Sequence, residues 1–113
     1  MTAYKGEIWL ANLNPVKKNN EVGKVRPVLI FQNNDLNESQ YPTTITLPLT
    51  TALIDDAEPL RFRVVKRENL HEDSDILIAQ IRAIDNERLI EKLASLTQKE
   101  MGSIKLLLDE VLS

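Results

Sequence analysis

The length, composition and charge of the chain limit what it can be. Its 113 residues suit one domain, so we expect a single domain over residues 1–113. The 14 Lys and Arg against 17 Asp and Glu give a net charge of −3, which argues against a generally basic nucleic-acid binder. The absence of cysteine excludes disulfides, thiolate metal sites and a cysteine nucleophile. No apolar run reaches the roughly 20 residues of a membrane span and no apolar leader is visible, so we expect a cytoplasmic protein without membrane contact.

Short apolar or alternating segments, separated by polar turns, predict about six strands. These segments are residues 6–12, 27–32, 43–49, 61–66, 75–81 and 91–96. The longer polar stretches that we interpret as loops are 13–24 and 33–42. Phe62 and Val64 alternate with Arg61 and Arg63, which predicts a half-buried strand with two arginines on its open face.

The C-terminal segment predicts the one substantial helix. Thr97 and Glu100 have the spacing of a capping box. An apolar stripe at helical spacing follows, formed by Met101, Ile104, Leu108 and Val111. Asp85 is placed to cap a shorter helical turn that begins at Asn86. Short strands without long helices between them favour a mainly β, α+β fold, a small antiparallel barrel of about six strands with the C-terminal helix over one face.

Several kinds of active site are excluded by what the sequence lacks. The three glycines are far apart, so they form neither a phosphate-binding loop nor a dinucleotide fingerprint. The one histidine, His71, rules out catalysis by a pair of histidines, and its polar surroundings favour an exposed loop residue. The acidic residues near positions 55–58 and 72–75 have no spacing that aims carboxylates at one point. We therefore expect neither a metal nor a cofactor.

What remains is a set of polar residues at strand ends, where loops meet a rigid sheet and functional residues are common. They are Arg26, Thr50, Thr51, Gln80 and Arg82. A guanidinium can bind a phosphate through two hydrogen bonds, and a threonine hydroxyl can add a third. From the residues alone the plain alternative stays open, with Arg26 in a surface ion pair and Thr50 in a turn.

Four segments, in order, resemble those of the MazF/PemK toxin family, and the match runs from about Tyr4 to the final helix. They are Gly6-Glu7-Ile8-Trp9; Leu13-Asn14-Pro15 with Glu21 and Val25-Arg26-Pro27-Val28; Pro48-Leu49-Thr50-Thr51; and Gln80-Ile81-Arg82-Ala83-Ile84-Asp85 with Arg88-Leu89. The chain departs from the family pattern at Asn19-Asn20 and at Ala79, which bears on base preference and loop shape. Arg26 and Thr50 are in place.

The resemblance implies the toxin of a type II toxin–antitoxin system, with a barrel similar to an SH3 domain carried as a homodimer. It implies a metal-independent, sequence-specific endoribonuclease that cuts single-stranded RNA, leaving 2′,3′-cyclic phosphate and 5′-hydroxyl ends. It also implies a partner, a cognate antitoxin whose acidic tail lies over the RNA groove.

The resemblance assigns roles to residues. Arg26 would stabilise the charge on the phosphorane, and whether it also transfers a proton stays open. Thr50 would orient the scissile phosphate, and Glu21 is a weaker candidate, either as the general base or as an acceptor that reads an RNA base. The residues expected to contact RNA are Thr51, Gln80, Arg82, Arg61, Arg63 and Lys24.

Two other functions remain as alternatives. A toxin similar to CcdB would bind DNA gyrase instead of cutting RNA, although this chain lacks a tryptophan near its C-terminus. An inactive family member would serve as an RNA- or antitoxin-binding module. The one tryptophan, Trp9, is flanked by Ile8 and Leu10, which favours a packing role over base stacking.

Overall fold

The computed structural model describes residues 1–13 and 25–113, so Glu21 and Lys24 lie outside the described residues. The described part contains seven strands, namely β1 (Glu7–Asn12), β2 (Val25–Ile30), β3 (Thr43–Thr50), β4 (Arg61–Val64), β5 (Ser74–Leu77), β6 (Arg82–Asp85) and β7 (Leu89–Ser95). It also contains the helices α1 (Asn34–Glu38) and α2 (Gln98–Leu112), and the 3-10 turns Ile78–Gln80 and Asn86–Arg88.

Strand β3 is the centre of one antiparallel sheet, whose order is β4-β5-β3-β2-β1-β7. One edge of β3 pairs with β2, and the other edge is shared: its first half pairs with β6, and Leu49 and Thr50 pair with β5. The paired path of described strands is open, with β4 and β7 at its ends. The Asn69 N–H donates to the Leu93 carbonyl at 2.9 Å and so links the loop after β4 to β7. A mainly β fold with a C-terminal helix is confirmed, with an incompletely closed sheet.

The two faces of the sheet bury different hydrophobic clusters, because side chains alternate along each strand. The first cluster lies under α2 and includes Ile8, Leu29, Leu47, Leu49, Ile76, Ile104 and Leu108. The second lies on the opposite face and consists of Ala3, Trp9, Ala11, Val28, Ile30 and Ile84. The predicted packing role of Trp9 is confirmed, since its side chain is buried in this second cluster.

The Gly6-Glu7-Ile8-Trp9 segment has a structural explanation. Gly6 adopts a φ of +95°, a conformation that residues with a Cβ rarely adopt. One carboxylate oxygen of Glu7, Oε1, accepts hydrogen bonds from the Tyr4 N–H at 2.8 Å and from the Trp9 indole N–H at 2.9 Å. The motif therefore fixes the turn into β1 and orients the tryptophan.

Helix α2 is confirmed with its predicted capping box. The Thr97 hydroxyl accepts from the Glu100 N–H at 3.1 Å, and the Glu100 carboxylate accepts from the Thr97 N–H at 2.9 Å. The predicted apolar stripe packs on the first cluster, with Ile104 and Leu108 fully or nearly buried. Within residues 1–13 and 25–113, no helix has both the length and the apolar character to cross a membrane.

Two of the predicted elements are wrong in part. The predicted loop 33–42 contains α1, which starts because the Asn33 side chain accepts from the Asp35 N–H at 2.7 Å. The predicted strand 75–81 ends at Leu77 and continues as the turn Ile78–Gln80. This turn moves the chain from the β5 position on β3 to the β6 position, and it makes β6 a seventh strand.

Candidate functional site

Arg26 and Thr50 come together at one end of the sheet, where β2 begins and β3 ends. The register of the two strands pairs Val28 with Pro48 and Leu29 with Leu47. Arg26 lies two residues before Val28 and Thr50 lies two residues after Pro48, so both residues lie at the same end of this antiparallel pair, just beyond its last paired residues. Opposed residues of antiparallel strands share a face, and both side chains lie on the face away from α2, the face to which Val28 belongs. Arg26 and Thr50 are far apart in the sequence, and it is the antiparallel pairing of β2 with β3 that places them at the same end of the sheet.

The same line of opposed residues continues across two more strands. Thr50 is paired with Asp75 of β5, and Asp75 is paired with Arg63 of β4. We call the line of Arg26, Thr50, Asp75 and Arg63 the polar row. It crosses β2, β3, β5 and β4 on one face, so residues from distant parts of the sequence form one surface.

Asp75 is the buried centre of the polar row, with only 1% of its surface exposed. Its Oδ1 accepts from the Arg63 Nε–H at 2.6 Å. Its Oδ2 accepts from the Ile54 N–H at 2.9 Å and from Arg61 Nη1 at 3.1 Å. Burial raises the pKa of Asp75, but these hydrogen bonds outweigh burial and hold the pKa below its ordinary value. The carboxylate is therefore ionised, and each of its two oxygens accepts from at least one donor.

The hydroxyl of Thr50 is held by the turn that follows β3. Its Oγ1 accepts a hydrogen bond from the Ala52 N–H at 3.2 Å. The Ala52 carbonyl in turn accepts from Arg61 Nη1 at 2.8 Å. A hydroxyl carries one proton to donate, and this contact uses an acceptor position only. The Thr50 proton therefore stays available for an external acceptor such as a phosphate oxygen.

Arg26 differs from the other arginines beside it. Its side chain is half-buried, and no carboxylate of the residues described pairs with it. Arg61 and Arg63, by contrast, are both tied to Asp75, and Arg63 also pairs with Asp55 at 2.9 Å. Within the part of the chain that the structure covers, Arg26 is thus the cation of this face with unused donors next to the Thr50 hydroxyl.

Gln80 and Arg82 lie farther along β3 on the β5–β6 side. Arg82 is paired with Thr46, four residues before Thr50 in β3. Four residues of strand correspond to about 13 Å. Both Gln80 and Arg82 are exposed, but they lie in a turn and a strand, not in one strand as predicted.

Two cavities lie near this part of the sheet and differ in chemistry, and only the larger is lined by residues of the polar row, Asp75 and Arg63. One of about 300 Å³ lies beside Thr51, which is exposed, and its other walls include Leu10, Pro27, Leu70 and Leu93. The other, of about 590 Å³, faces Asp55, Asp56, Glu58 and Asp75 with Arg61 and Arg63. Four carboxylates against two guanidinium groups make the second cavity a poor place for a polyanion.

Sequence reasoning missed the role of Asp75, which it placed at the start of a strand and considered only as one of several acidic residues for a metal. The available signal was the alternation of Arg61 and Arg63, because two arginines on one face of a strand need an anion opposite them. Among the described residues, no group of three or more His, Asp or Glu side chains is arranged to hold a metal ion. His71 is exposed, as predicted.

The fold defines the class first. A MazE–MazF complex from Deinococcus radiodurans superposes with a TM-score of 0.81, covering 99% of this chain and 96% of that one at 18% identity. An endoribonuclease in complex with its cognate antitoxin, from a mycobacterial species, gives a TM-score of 0.76 over 97% of this chain and 94% of that one at 19% identity. At such identities the likeness shows the fold alone.

Sequence comparison then gives the family. The family model described as a PemK-like, MazF-like toxin of type II toxin–antitoxin systems matches residues 4–112, and the chain belongs to that family. "Endoribonuclease MazF" of Staphylococcus epidermidis is 38% identical over 106 residues, which is 93% of this chain and 87% of the relative. The protein of the same name from Staphylococcus saprophyticus is 37% identical over 107 residues, with the same shares covered. These relatives support an endoribonuclease.

Proposed function

We propose that this chain is the toxin of a type II toxin–antitoxin system and cleaves single-stranded RNA at specific sequences without a metal. The observation that carries the proposal is the antiparallel pairing of β2 with β3, which brings Arg26, unpaired with any described carboxylate, to the same end of the sheet and the same face as the Thr50 hydroxyl. Family membership supports the same activity. We also propose that it acts in the cytoplasm as one domain.

The proposed reaction uses a nucleophile that belongs to the substrate. The RNA's 2′-oxygen forms a bond to the adjacent phosphorus while the bond from phosphorus to the 5′-oxygen breaks. A base takes the 2′-hydroxyl proton, and the leaving 5′-oxygen takes up a proton. The products are a 2′,3′-cyclic phosphate and a 5′-hydroxyl. DNA lacks the 2′-hydroxyl and is not cut.

In this reaction the protein must stabilise charge and move protons. Arg26 would bind two oxygens of the phosphorane, because the guanidinium presents its donors in a fixed fork. Thr50 would donate its hydroxyl proton to the scissile phosphate while the Ala52 N–H fixes the oxygen from behind. Glu21 remains the candidate base and lies outside the described residues.

RNA contacts would extend from this pair in both directions. Gln80 and Arg82 would meet the RNA along β3, and Lys24 would add charge from the segment before β2. Arg63, the more exposed of the two cavity arginines, would contact the backbone from the outer edge of the acidic cavity, while Arg61 stays bound to Asp75 and to the Ala52 carbonyl. Thr51, exposed and next in the chain to Thr50, remains the candidate for contacting a base at this end of β3.

The proposal includes two protein partners. One is a second copy of the chain in a homodimer. The other is a cognate antitoxin, which the two complexes among the solved relatives support. A face that presents unpaired arginine donors to a phosphate presents them equally to carboxylates, so an acidic antitoxin tail would compete with RNA for the same surface.

The first test is cleavage of a long single-stranded RNA in excess EDTA, with the product ends identified. The parent protein should leave cyclic-phosphate and 5′-hydroxyl ends, and Arg26→Ala should lose at least about 100-fold in rate. Lys99→Ala, which removes an exposed charge on α2, is the matched control and should cleave like the parent. Cleavage by Arg26→Ala at the parental rate would remove Arg26 from the mechanism, and no cleavage by the parent would favour a protein target such as gyrase.

A second test concerns the hydroxyl of Thr50. Thr50→Val keeps the shape of the side chain but loses the donor, so we expect the rate to fall about 100-fold or more. Thr50→Ser keeps the hydroxyl and should remain within about tenfold of the parent. Equal rates for Thr50→Val and the parent would show that the hydroxyl is not in the site.

A further inference from the structure

We infer that Asp75 is a positioning residue for Thr50: with Arg61 it holds the turn after β3 in the one conformation that aims the Thr50 hydroxyl at the substrate. The inference rests on the proposed function for its catalytic meaning. Its structural part, the coupling between Asp75 and the turn, can be tested without any RNA.

The coupling is a continuous chain of hydrogen bonds. Asp75 accepts from Arg61, Arg61 donates to the Ala52 carbonyl, and the Ala52 N–H donates to the Thr50 hydroxyl oxygen. The distances are 3.1, 2.8 and 3.2 Å. A second route is direct, because the Ile54 N–H donates to the same Oδ2 of Asp75 at 2.9 Å. Asp75 thus fixes the turn at Ala52 and at Ile54.

Asp75 lies directly beside Thr50 in the polar row, so it supports the part of the turn next to Thr50. Thr50 and Asp75 are paired across β3 and β5, so the anchor lies directly beside the residue that it supports. The turn itself is exposed from Thr51 to Asp56, and none of these residues belongs to the buried core. Removing the carboxylate would therefore release the turn, and the Thr50 hydroxyl would sample orientations in which its proton does not reach the phosphate.

Arg61 and Arg63 have different roles in this network of hydrogen bonds. Arg61 is the link between Asp75 and Ala52, and its side chain is only 20% exposed. Arg63 binds Asp75 and the outer carboxylate of Asp55, and its side chain is 37% exposed. If Arg61 holds the turn, replacing Arg61 should lower kcat. If Arg61 instead contacts a phosphate of the RNA, replacing it should raise KM.

The activity-free test is amide hydrogen exchange of the purified protein. In Asp75→Asn we expect exchange at both Ala52 and Ile54 to accelerate at least about tenfold, because the Ile54 N–H loses its carboxylate acceptor and the turn that holds the Ala52 N–H against Thr50 loses its anchor through Arg61. Asp55→Asn is the matched control: it removes a carboxylate that is 83% exposed and pairs only with Arg63 among the described residues, so both amides should exchange as in the parent. Unchanged exchange at Ala52 in Asp75→Asn would overturn the coupling.

The catalytic test is a double-mutant cycle of Asp75→Asn with Thr50→Val, measured as kcat and KM on single-stranded RNA. Asp75→Asn alone should lower kcat about 10- to 100-fold with KM within about threefold. In the Thr50→Val background it should lower kcat by less than about threefold, since the hydroxyl that it positions is already gone. Losses that multiply in the double variant would mean that Asp75 acts independently of Thr50 and would overturn the inference.

A second variant covers the case in which Asp75→Asn does not fold. Arg61→Gln breaks the link to Ala52 and leaves Asp75 paired with Arg63 and Ile54, and the same non-additivity with Thr50→Val is expected. Multiplying losses, or a change in KM alone, would contradict it. The two proposals can fail separately. If the parent protein does not cleave RNA, both the proposed function and the catalytic role of Asp75 are wrong. If the parent cleaves RNA and Asp75→Asn cleaves it with unchanged kcat, only the inference about Asp75 is wrong.

Discussion

The protein contains two arginine–carboxylate clusters of similar chemistry but different surroundings. The site-side cluster consists of Asp75 with Arg61 and Arg63, and its carboxylate is buried. The helix-side cluster consists of Arg67 and Glu100, which form two hydrogen bonds of 2.6 and 2.8 Å at the start of α2 and are only partly buried. The first joins two strands and a turn beside the candidate site; the second joins a loop to a helix on the other side of the sheet. Loss of the first cluster would free the turn beside the candidate site, whereas loss of the second would free only the start of α2.

The largest expected effect is on stability, from breaking the site-side cluster. Asp75→Ala leaves the Ile54 N–H without its acceptor and takes the buried carboxylate from two arginines, which keep Ala52 and Asp55 as partners and are partly exposed, so the loss should fall somewhat below the roughly 3–5 kcal/mol of a fully buried pair. Glu100→Ala, the matched change in the helix-side cluster, removes a cap and a partly exposed ion pair and should cost about 1–2 kcal/mol. Urea unfolding of both variants measures the difference. Equal losses would mean that burial does not separate the clusters.

The next effect is a dependence of stability on acid, carried by Glu100. Its hydrogen bonds from Arg67 lower its pKa to about 2, more than burial raises it. A carboxylate with a lowered pKa stabilises the fold above its unfolded value of 4.5, and that contribution is lost as the pH falls towards 2. After allowance for solvent screening it amounts to about 1–2 kcal/mol.

Glu100→Gln isolates this contribution. Unfolding free energies measured between pH 5 and pH 2 should fall less steeply in Glu100→Gln than in the parent, while the two should differ most at neutral pH. Glu91→Gln, an exposed carboxylate in β7, is the control and should retain the parental slope. The same slope in Glu100→Gln and the parent would assign the acid sensitivity to other carboxylates, of which Asp75 is the first to examine because its pKa is also lowered.

The two clusters also show how far sequence reasoning reaches. The capping box of Thr97 and Glu100 and the alternation of Phe62 with Arg63 were predicted and are confirmed, because each pattern lies within a few consecutive residues. The ion pair of Arg67 with Glu100 and that of Arg63 with Asp75 were not predicted. Their partners are brought together by tertiary packing, about which a local pattern carries no information.

The same distinction applies to the candidate site. Arg26 and Thr50 were selected as single residues at strand ends and through a family resemblance, and the pairing of β2 with β3 adds that they lie at the same end of the sheet. Helix α1 was missed because five residues are too short for a helical period, so only the Asn33 cap could have indicated it. Roles assigned to Glu21 and Lys24 stay predictions, since these residues lie outside the described ones.

A smaller effect separates the two arginines of the site-side cluster by their dependence on salt. A lost phosphate contact on a single strand lowers the slope of log Kd against log salt by about 0.7. We expect that change for Arg63→Gln, whose side chain is the more exposed, and none for Arg61→Gln. RNA binding measured in an Arg26→Ala background, which prevents cleavage, gives both slopes. A change for Arg61→Gln instead would make Arg61 the RNA contact and weaken its assignment to the turn.

The smallest expected effect on stability comes from a largely exposed ion pair, which gives a lower limit for the two clusters. Lys105 and Asp109 form an ion pair of 3.5 Å one turn apart on α2, with side chains 66% and 63% exposed. Pairs of this kind contribute about 0.3–0.5 kcal/mol, and the order of lysine before aspartate is the less favourable one on a helix. Asp109→Asn should therefore change the unfolding free energy by less than about 0.5 kcal/mol, a shift of less than about 4 °C in Tm. A loss above about 1 kcal/mol would mean that this exposed pair stabilises the fold as much as Arg67 and Glu100 do. Exposure would then not explain why the ion pairs of this protein differ in strength.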